Sequence, residues 1–188
     1  MIEVHPATGR SDAVSAVLRP ATNPDKACWC LTYRLDPAQL NDTSPGVREG
    51  AMRGLCDRST APGLVAYVDG KPAGWCGVGP RSEFHRLNHS RTIQRVDDVP
   101  VWSAICFVVK AAYRGQGVAG ALLDGAIDFA GANGAPALEG YPVEGRVGGA
   151  FAFPGSITLF ERAGFVRVAP TTSKSGGAIR WIMRLDIG

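Results

Sequence analysis

The chain has 188 residues, 45% of them hydrophobic, and a formal net charge of +3. That is enough apolar material for one compact domain, residues 1–188, and too little charge to make nucleic acid a general partner. No apolar run approaches the roughly 20 residues a membrane span needs and no signal-like segment opens the chain, so a cytoplasmic location with no membrane partner is expected.

Ile2 to Val4 reads as a first strand, and Ser11 is placed to cap a short helix that runs to Leu18 and stops at Pro20. Asn23-Pro24-Asp25 is a turn. Ala27 to Leu35 has strand-like residues in imperfect alternation. Ser44-Pro45 opens a helix that carries Val47, Ala51, Met52 and Leu55 on one face. Leu64–Val68 and Ala73–Val78, joined by Asp69-Gly70-Lys71-Pro72, form a β-hairpin. Arg81 to Arg95 holds Arg81, Arg86, Arg91 and Arg95, His85 and His89, and one acid, Glu83. It reads either as a solvated loop or helix, or as a wall that attracts an anionic substrate group.

Asp97, Asp98 and Pro100 lead into Val101–Val109, an apolar run rich in β-branched and aromatic residues and hence a buried strand. After a link from Lys110 to Tyr113 comes Arg114-Gly115-Gln116-Gly117-Val118-Ala119-Gly120. From Val118 a helix places Ala121, Leu122, Ala126 and Phe129 on one face and Asp124 and Asp128 on others. Gly131 and Gly134 end it, Ala137–Tyr141 is the next strand, and Pro142–Pro154 is a glycine-rich loop. A helix over Ser156–Ala163, stopped by Gly164, precedes a closing hairpin of Phe165–Val168 and Ile179–Leu185. The five cysteines are odd in number and scattered, which fits a reducing compartment better than a disulfide framework. Cys28-Trp-Cys30 has the wrong spacing for a zinc knuckle, so no metal is expected.

Strand, glycine-rich turn and helix together make a place for phosphate: glycines let the backbone approach, and the helix start offers unpaired N–H groups. Arg114 adds a cation. Gly115, Gly117 and Gly120 also spell the dinucleotide fingerprint, with Glu139 near the position of its ribose-binding acid. Four residues intervene between strand and first glycine, however, and too little chain follows for further strand–helix units.

Val109 to Gly120 resembles the acyl-CoA loop of the GNAT superfamily of N-acetyltransferases, Q/R-x-x-G-x-G/A, with Arg114, Gly117 and Ala119 at its defined positions. Leu159-Phe160-Glu161-Arg162-Ala163-Gly164-Phe165 is similar to the family's C-terminal block, and the resemblance spans roughly 64–185. It implies a mixed α/β fold, with a twisted, mostly antiparallel sheet of about six to seven strands and about four flanking helices. It implies an acyltransferase that moves an acetyl group from acetyl-CoA, as co-substrate, to a primary amine of a small-molecule or peptide acceptor by direct attack in a ternary complex. A homodimer is left open. A binder of acyl-CoA without turnover is the alternative, and an NAD-type dinucleotide binder a remote third.

The same resemblance assigns acyl-CoA to Phe107, Val108 and Val109, whose backbone would pair with the pantetheine arm, and to Arg114, Gly115, Gln116, Gly117, Val118, Ala119 and Gly120. The family's tyrosine, often the acid that protonates the thiolate, is Phe160 here, and its acidic strand position is apolar near Ile105. Tyr141 is therefore the first replacement acid and Ser156 the second. Glu83, Glu139, Glu144 and His85 are candidate bases, and Cys106 is a candidate nucleophile or a buried strand thiol.

Overall fold

The computed structural model describes residues 1–145 and 147–188; within the expected Pro142–Pro154 loop, Arg146 lies outside the described residues. Seven strands form one sheet in the order β1-β2-β3-β4-β5-β7-β6. They are β1 (Ile2–Pro6), β2 (Gly63–Val68), β3 (Lys71–Pro80), β4 (Trp102–Val109), β5 (Ala137–Gly140), β6 (Val166–Ser175) and β7 (Ala178–Asp186). Only β4 and β5 run parallel; every other neighbouring pair is antiparallel. Six helices accompany them: α1 (Ser11–Leu18), α2 (Pro37–Asn41), α3 (Val47–Cys56), α4 (His85–Asn88), α5 (Val118–Ala132) and α6 (Ile157–Arg162). The expected mixed α/β sheet is therefore present, with two more helices than expected because α2 and α4 are only five and four residues long.

Alternation along the strands divides the core in two. Val65, Trp75 and Ile105 face Val14, Met52 and Cys56 of α1 and α3. Leu64, Ala66, Cys76, Val78, Ala104 and Phe107 face Val118, Leu122, Leu123, Ala126 and Ala130 of α5, with Ile157 and Phe160 of α6. Fully buried Leu122 and Leu123 each contribute about 1.5–3 kcal/mol by leaving water. The helix lies close because β3 offers Gly74, where a Cβ would meet Val118 Cγ1 at 2.8 Å.

Several sequence expectations shift in the fold. Ser11 is the first residue of α1, not its cap, and its hydroxyl accepts from Arg53 Nη1. Gly46, with φ +74°, starts α3 after Ser44-Pro45. Ala27–Leu35 is not a strand: Trp29 and Cys30 have positive φ, and the apolar residues here are core-filling turns, with Trp29, Leu31 and Tyr33 buried. The first hairpin turns on Asp69-Gly70 alone, both at positive φ as a type I′ turn requires, so Pro72 falls inside β3, beside a bulge. β6 extends well beyond Val168. It is an edge strand, where Pro170 and a polar sequence are tolerated, and the Gly176-Gly177 turn closes it onto β7.

The feature that positions the site is the fork between β4 and β5. They pair only from Trp102↔Leu138 to Ala104↔Gly140, and beyond that β4 continues toward α5 paired with β3 alone. A buried polar network closes the base of the fork. Tyr141 Oη donates to Glu139 Oε2 (3.0 Å), receives Arg81 Nη1 (2.6 Å) and lies 2.8 Å from Ser103 Oγ. Glu139 Oε1 accepts from Arg184 (2.7 Å), which ties β7 to the same point.

Candidate active site

At the open end of the fork, one cavity of about 1830 Å³ runs from the head of α5, along β4, to the β6–β7 turn. Its donor end is built by the glycine turn. Gly115 and Gly117 have φ of +75° and +86°, the left-handed region that L side chains rarely adopt. A Cβ on Gly115 would meet nothing within 4 Å, and one on Gly117 only Ile2 Cδ1 at 4.0 Å. The glycines are thus required by conformation, and the space beside them is open. Gly117 is the residue before α5, so the first-turn amides of a fifteen-residue helix open onto the cavity at Val118, Ala119 and Gly120. Arg114 donates from Nε to Val109 O (3.2 Å), which holds its guanidinium at the end of β4. Of the ten residues expected to hold acyl-CoA, nine line this cavity. Gln116 does not; its amide spans the turn to Ala112 O (2.9 Å).

Along β4 the hydrogen-bonding side can be read from its partners. Lys110 N donates to Ala73 O on β3, whereas Phe107 N donates to Phe153 O (2.7 Å) across the fork. With the strand's period of two, Phe107 C=O and Val109 N–H therefore face the open side. The Phe107 N–H that was expected to meet a pantetheine arm is already occupied by the Phe153 carbonyl.

The four expected catalytic residues separate. Ser156 lines the cavity; its Oγ accepts from Leu159 N (3.2 Å) as the cap of α6, and its own proton is left to donate. Tyr141 and Glu139 do not line it. Both belong to the buried network at the fork base, where burial, then the Glu139 charge, push the Tyr141 hydroxyl well above its ordinary pKa. Glu83 is also elsewhere, its carboxylate held by Arg34 (2.9 Å) and Arg58 (2.9 Å). Glu144 accepts from Arg167 (3.4 Å), His85 stacks on His89 at 4.2 Å, and neither lines the cavity. Cys106 lines it, but the neighbouring Cys30 thiol, and then burial, hold its own thiol well above the ordinary range, which suits a core residue and not a nucleophile. Phe160 is fully buried with its ring edge against Gly140, where a Cβ would come within 2.0 Å, and it is not among the lining residues. Of the arginines in the basic run, Arg86 lines the cavity, Arg81 is buried in the network, and Arg91 and Arg95 are exposed away from it.

The far end carries groups that the sequence did not single out. Tyr33, in the turns before α2, and Arg180 on β7 are both buried and both line the cavity. Arg180 Nη1 donates to Tyr33 Oη (2.5 Å) and its Nε to Tyr141 O (2.8 Å). Ser173, Lys174 and Ser175 at the end of β6, with Gly176 of the turn that follows, complete the wall. Among the described residues the only acid lining the cavity is Asp124, on α5. In sequence, Tyr33 lies in an irregular segment and Arg180 in a strand that otherwise reads as core, so nothing local marked them.

The family model described as "Acetyltransferase (GNAT) family" matches residues 31–143, more than half of the chain. Among solved structures, a putative acetyltransferase, yncA, from Salmonella typhimurium with acetyl-CoA is similar at TM-score 0.57 and 18% identity, over 100% of this chain and 94% of that one. A mosquito arylalkylamine N-acetyltransferase-like protein is similar at 0.61 and 14%, over 99% and 100%. An N-acetyltransferase from Staphylococcus aureus is similar at 0.58 and 16%, over 100% and 99%. No curated protein sequence matches. No helix among the described residues is long and apolar enough to cross a membrane. With its family model covering the glycine turn, α5 and both strands of the fork, the chain belongs to the GNAT acetyltransferase family.

Proposed function

We propose that this protein transfers an acetyl group from acetyl-CoA to a primary amine. The observation that carries the reading is the continuity of one cavity, from the left-handed glycine turn at the head of α5 to the open edge of β4. The turn supplies backbone amides, the helix dipole and Arg114 for the pyrophosphate. Phe107 C=O and Val109 N–H accept the pantetheine arm as an added strand would. The Val109 N–H then lies where a thioester carbonyl becomes an oxyanion, so it stabilises the tetrahedral intermediate. A lysine-like amine, with an ordinary pKa near 10.4, must be neutral to attack. With no carboxylate beside the acceptor end among the described residues, water carries that proton away. Collapse of the intermediate breaks the C–S bond. The thiolate, whose conjugate acid titrates near 8.5 by analogy with cysteine, is held by a hydrogen bond from the Ser156 hydroxyl and takes its proton from water.

The loop assignment is tested by Gly117→Glu. The new side chain brings a negative charge to the phosphate cradle and costs about 1–2 kcal/mol of backbone strain. The variant should fold, melt a few degrees lower, and lose the rise in Tm that acetyl-CoA gives the wild type. A variant still stabilised to the wild-type extent refutes the assignment. A wild type stabilised by NADH and indifferent to acetyl-CoA would restore the dinucleotide reading.

A further inference from the structure

Arg34, Arg81 and Arg184, whose side chains are 5%, 5% and 13% exposed, each meet a glutamate; half-buried Arg48 instead donates to three backbone carbonyls. Arg180, only 3% exposed, meets none among the described residues. Its Nε and Nη1 have oxygen partners, and its Nη2 is buried with none. The rings of Tyr33, Tyr141 and Phe153 surround the guanidinium at 5.9, 5.9 and 5.7 Å. A cation taken out of water without an anion is costly to the fold, and aromatic faces offset only part of that cost. Such a group lining a cavity is explained when a ligand brings the missing charge.

The surroundings narrow the ligand. Arg86 lies over the Tyr33 ring at 5.6 Å and lines the same end of the cavity, as does Lys174. Tyr33 Oη accepts from Arg180, so its own proton remains to be donated. Arg180 Nη2 and the Tyr33 hydroxyl leave two donors for one anion, and a carboxylate has two oxygens to take them. Phe153, against the guanidinium, is also the residue whose carbonyl takes the Phe107 N–H of β4. An acceptor anchored at Arg180 is therefore one side chain from the strand edge where the thioester is placed. We propose that the acceptor is an amine that also carries a carboxylate, as an α-amino acid does, and that Arg180 with Tyr33 recognises it. This rests on the acetyltransferase reading above.

The test compares kcat/KM for free amino acids with that for their carboxamides, which keep the shape and lose the charge, and with aminoalkylphosphonates of the same chain length. The wild type should prefer the acid to its amide by ~10²-fold or more, because the amide leaves a buried charge unmatched. Arg180→Gln should reduce that preference to a few-fold by losing activity on the acid, with KM for acetyl-CoA unchanged. Tyr33→Phe should lower activity on the acid by ~10-fold. Equal rates on acid and amide with wild type, a preference for the phosphonate, or an intact preference in Arg180→Gln would each overturn the proposal. If Arg180→Gln does not fold, the wild-type comparison decides alone. These results leave acetyl-CoA binding and amine acetylation standing. A wild type that is not stabilised by acetyl-CoA, or that acetylates no amine, instead brings down the underlying reading and the inference with it.

Discussion

Ser156 and Tyr141 are both hydroxyls near the fork, and their surroundings give them different work. Ser156 sits in the cavity wall with a proton to give; Tyr141 gives its proton to Glu139 in a sealed network. Replacing Ser156 with alanine removes both a cap worth about 1 kcal/mol and the hydroxyl proposed to hold the departing thiolate. Ser156→Asn retains a capping oxygen without the hydroxyl, so it should keep the wild-type Tm while kcat falls by about 10²-fold. A Ser156→Asn enzyme with wild-type turnover would remove Ser156 from the chemistry. Tyr141→Phe strands Arg81, Ser103 and Glu139 and should cost about 1–3 kcal/mol, at about 2–4 °C of Tm per kcal/mol, with kcat within about twofold of wild type. The opposite pattern, intact Tm and a kcat lower by about 10²-fold, would return Tyr141 to the role of acid that its position in the sequence suggests.

At the scale of elements, the fork depends on a pairing of small and large residues. β5 ends at Gly140, and the Phe160 ring from α6 occupies the space its missing side chain leaves, edge-on to Phe107 and Phe165 at 5.9 and 5.0 Å. A hydroxyl at the tip of that ring would be directed into packed backbone and not into the cavity. Phe160→Tyr is therefore no substitute for a lost acid, although the family pattern suggests it. Gly140→Ala should cost about 3 kcal/mol by overpacking, and Phe160→Leu in that background should recover part of the lost Tm. Wild-type stability in Gly140→Ala would show that ring and strand do not pack this way.

These elements also show what could be read from the sequence. Strong local signals fixed the expected strand over Val101–Val109, the glycine turn, α5, the first hairpin and the block around Gly164, because periodicity, positive φ and helix termini are local properties. The acceptor end was not legible. Tyr33 comes from a stretch whose aromatic residues look strand-like and fold as buried turns, and Arg180 comes from a strand a further 147 residues along the chain. Their meeting is set by the sheet order, in which β7 lies beside β5, and no window of sequence contains it. Glu83 and Glu139 looked like candidate bases for the same reason: the arginines that engage them come from distant segments.

At the scale of the whole molecule, the seven strands and six helices among the described residues separate β4 from β5 and surround the gap. The helix α5 and its turn close one end of the cavity, proposed for the donor, and the residues before α2, the basic run and the β6–β7 turn close the other, proposed for the acceptor. The same fold could bind acyl-CoA and hold it unreacted, so binding alone does not decide the central claim. The decisive measurement is CoA release from acetyl-CoA by wild-type protein, with and without a panel of amines and amino acids, with mass analysis of the acceptor. The account predicts release that depends on the amine and an N-acetylated product formed in equal amount. Acetyl-CoA that stabilises the protein yet stays intact with every amine would contradict it and identify an acyl-CoA binder without turnover.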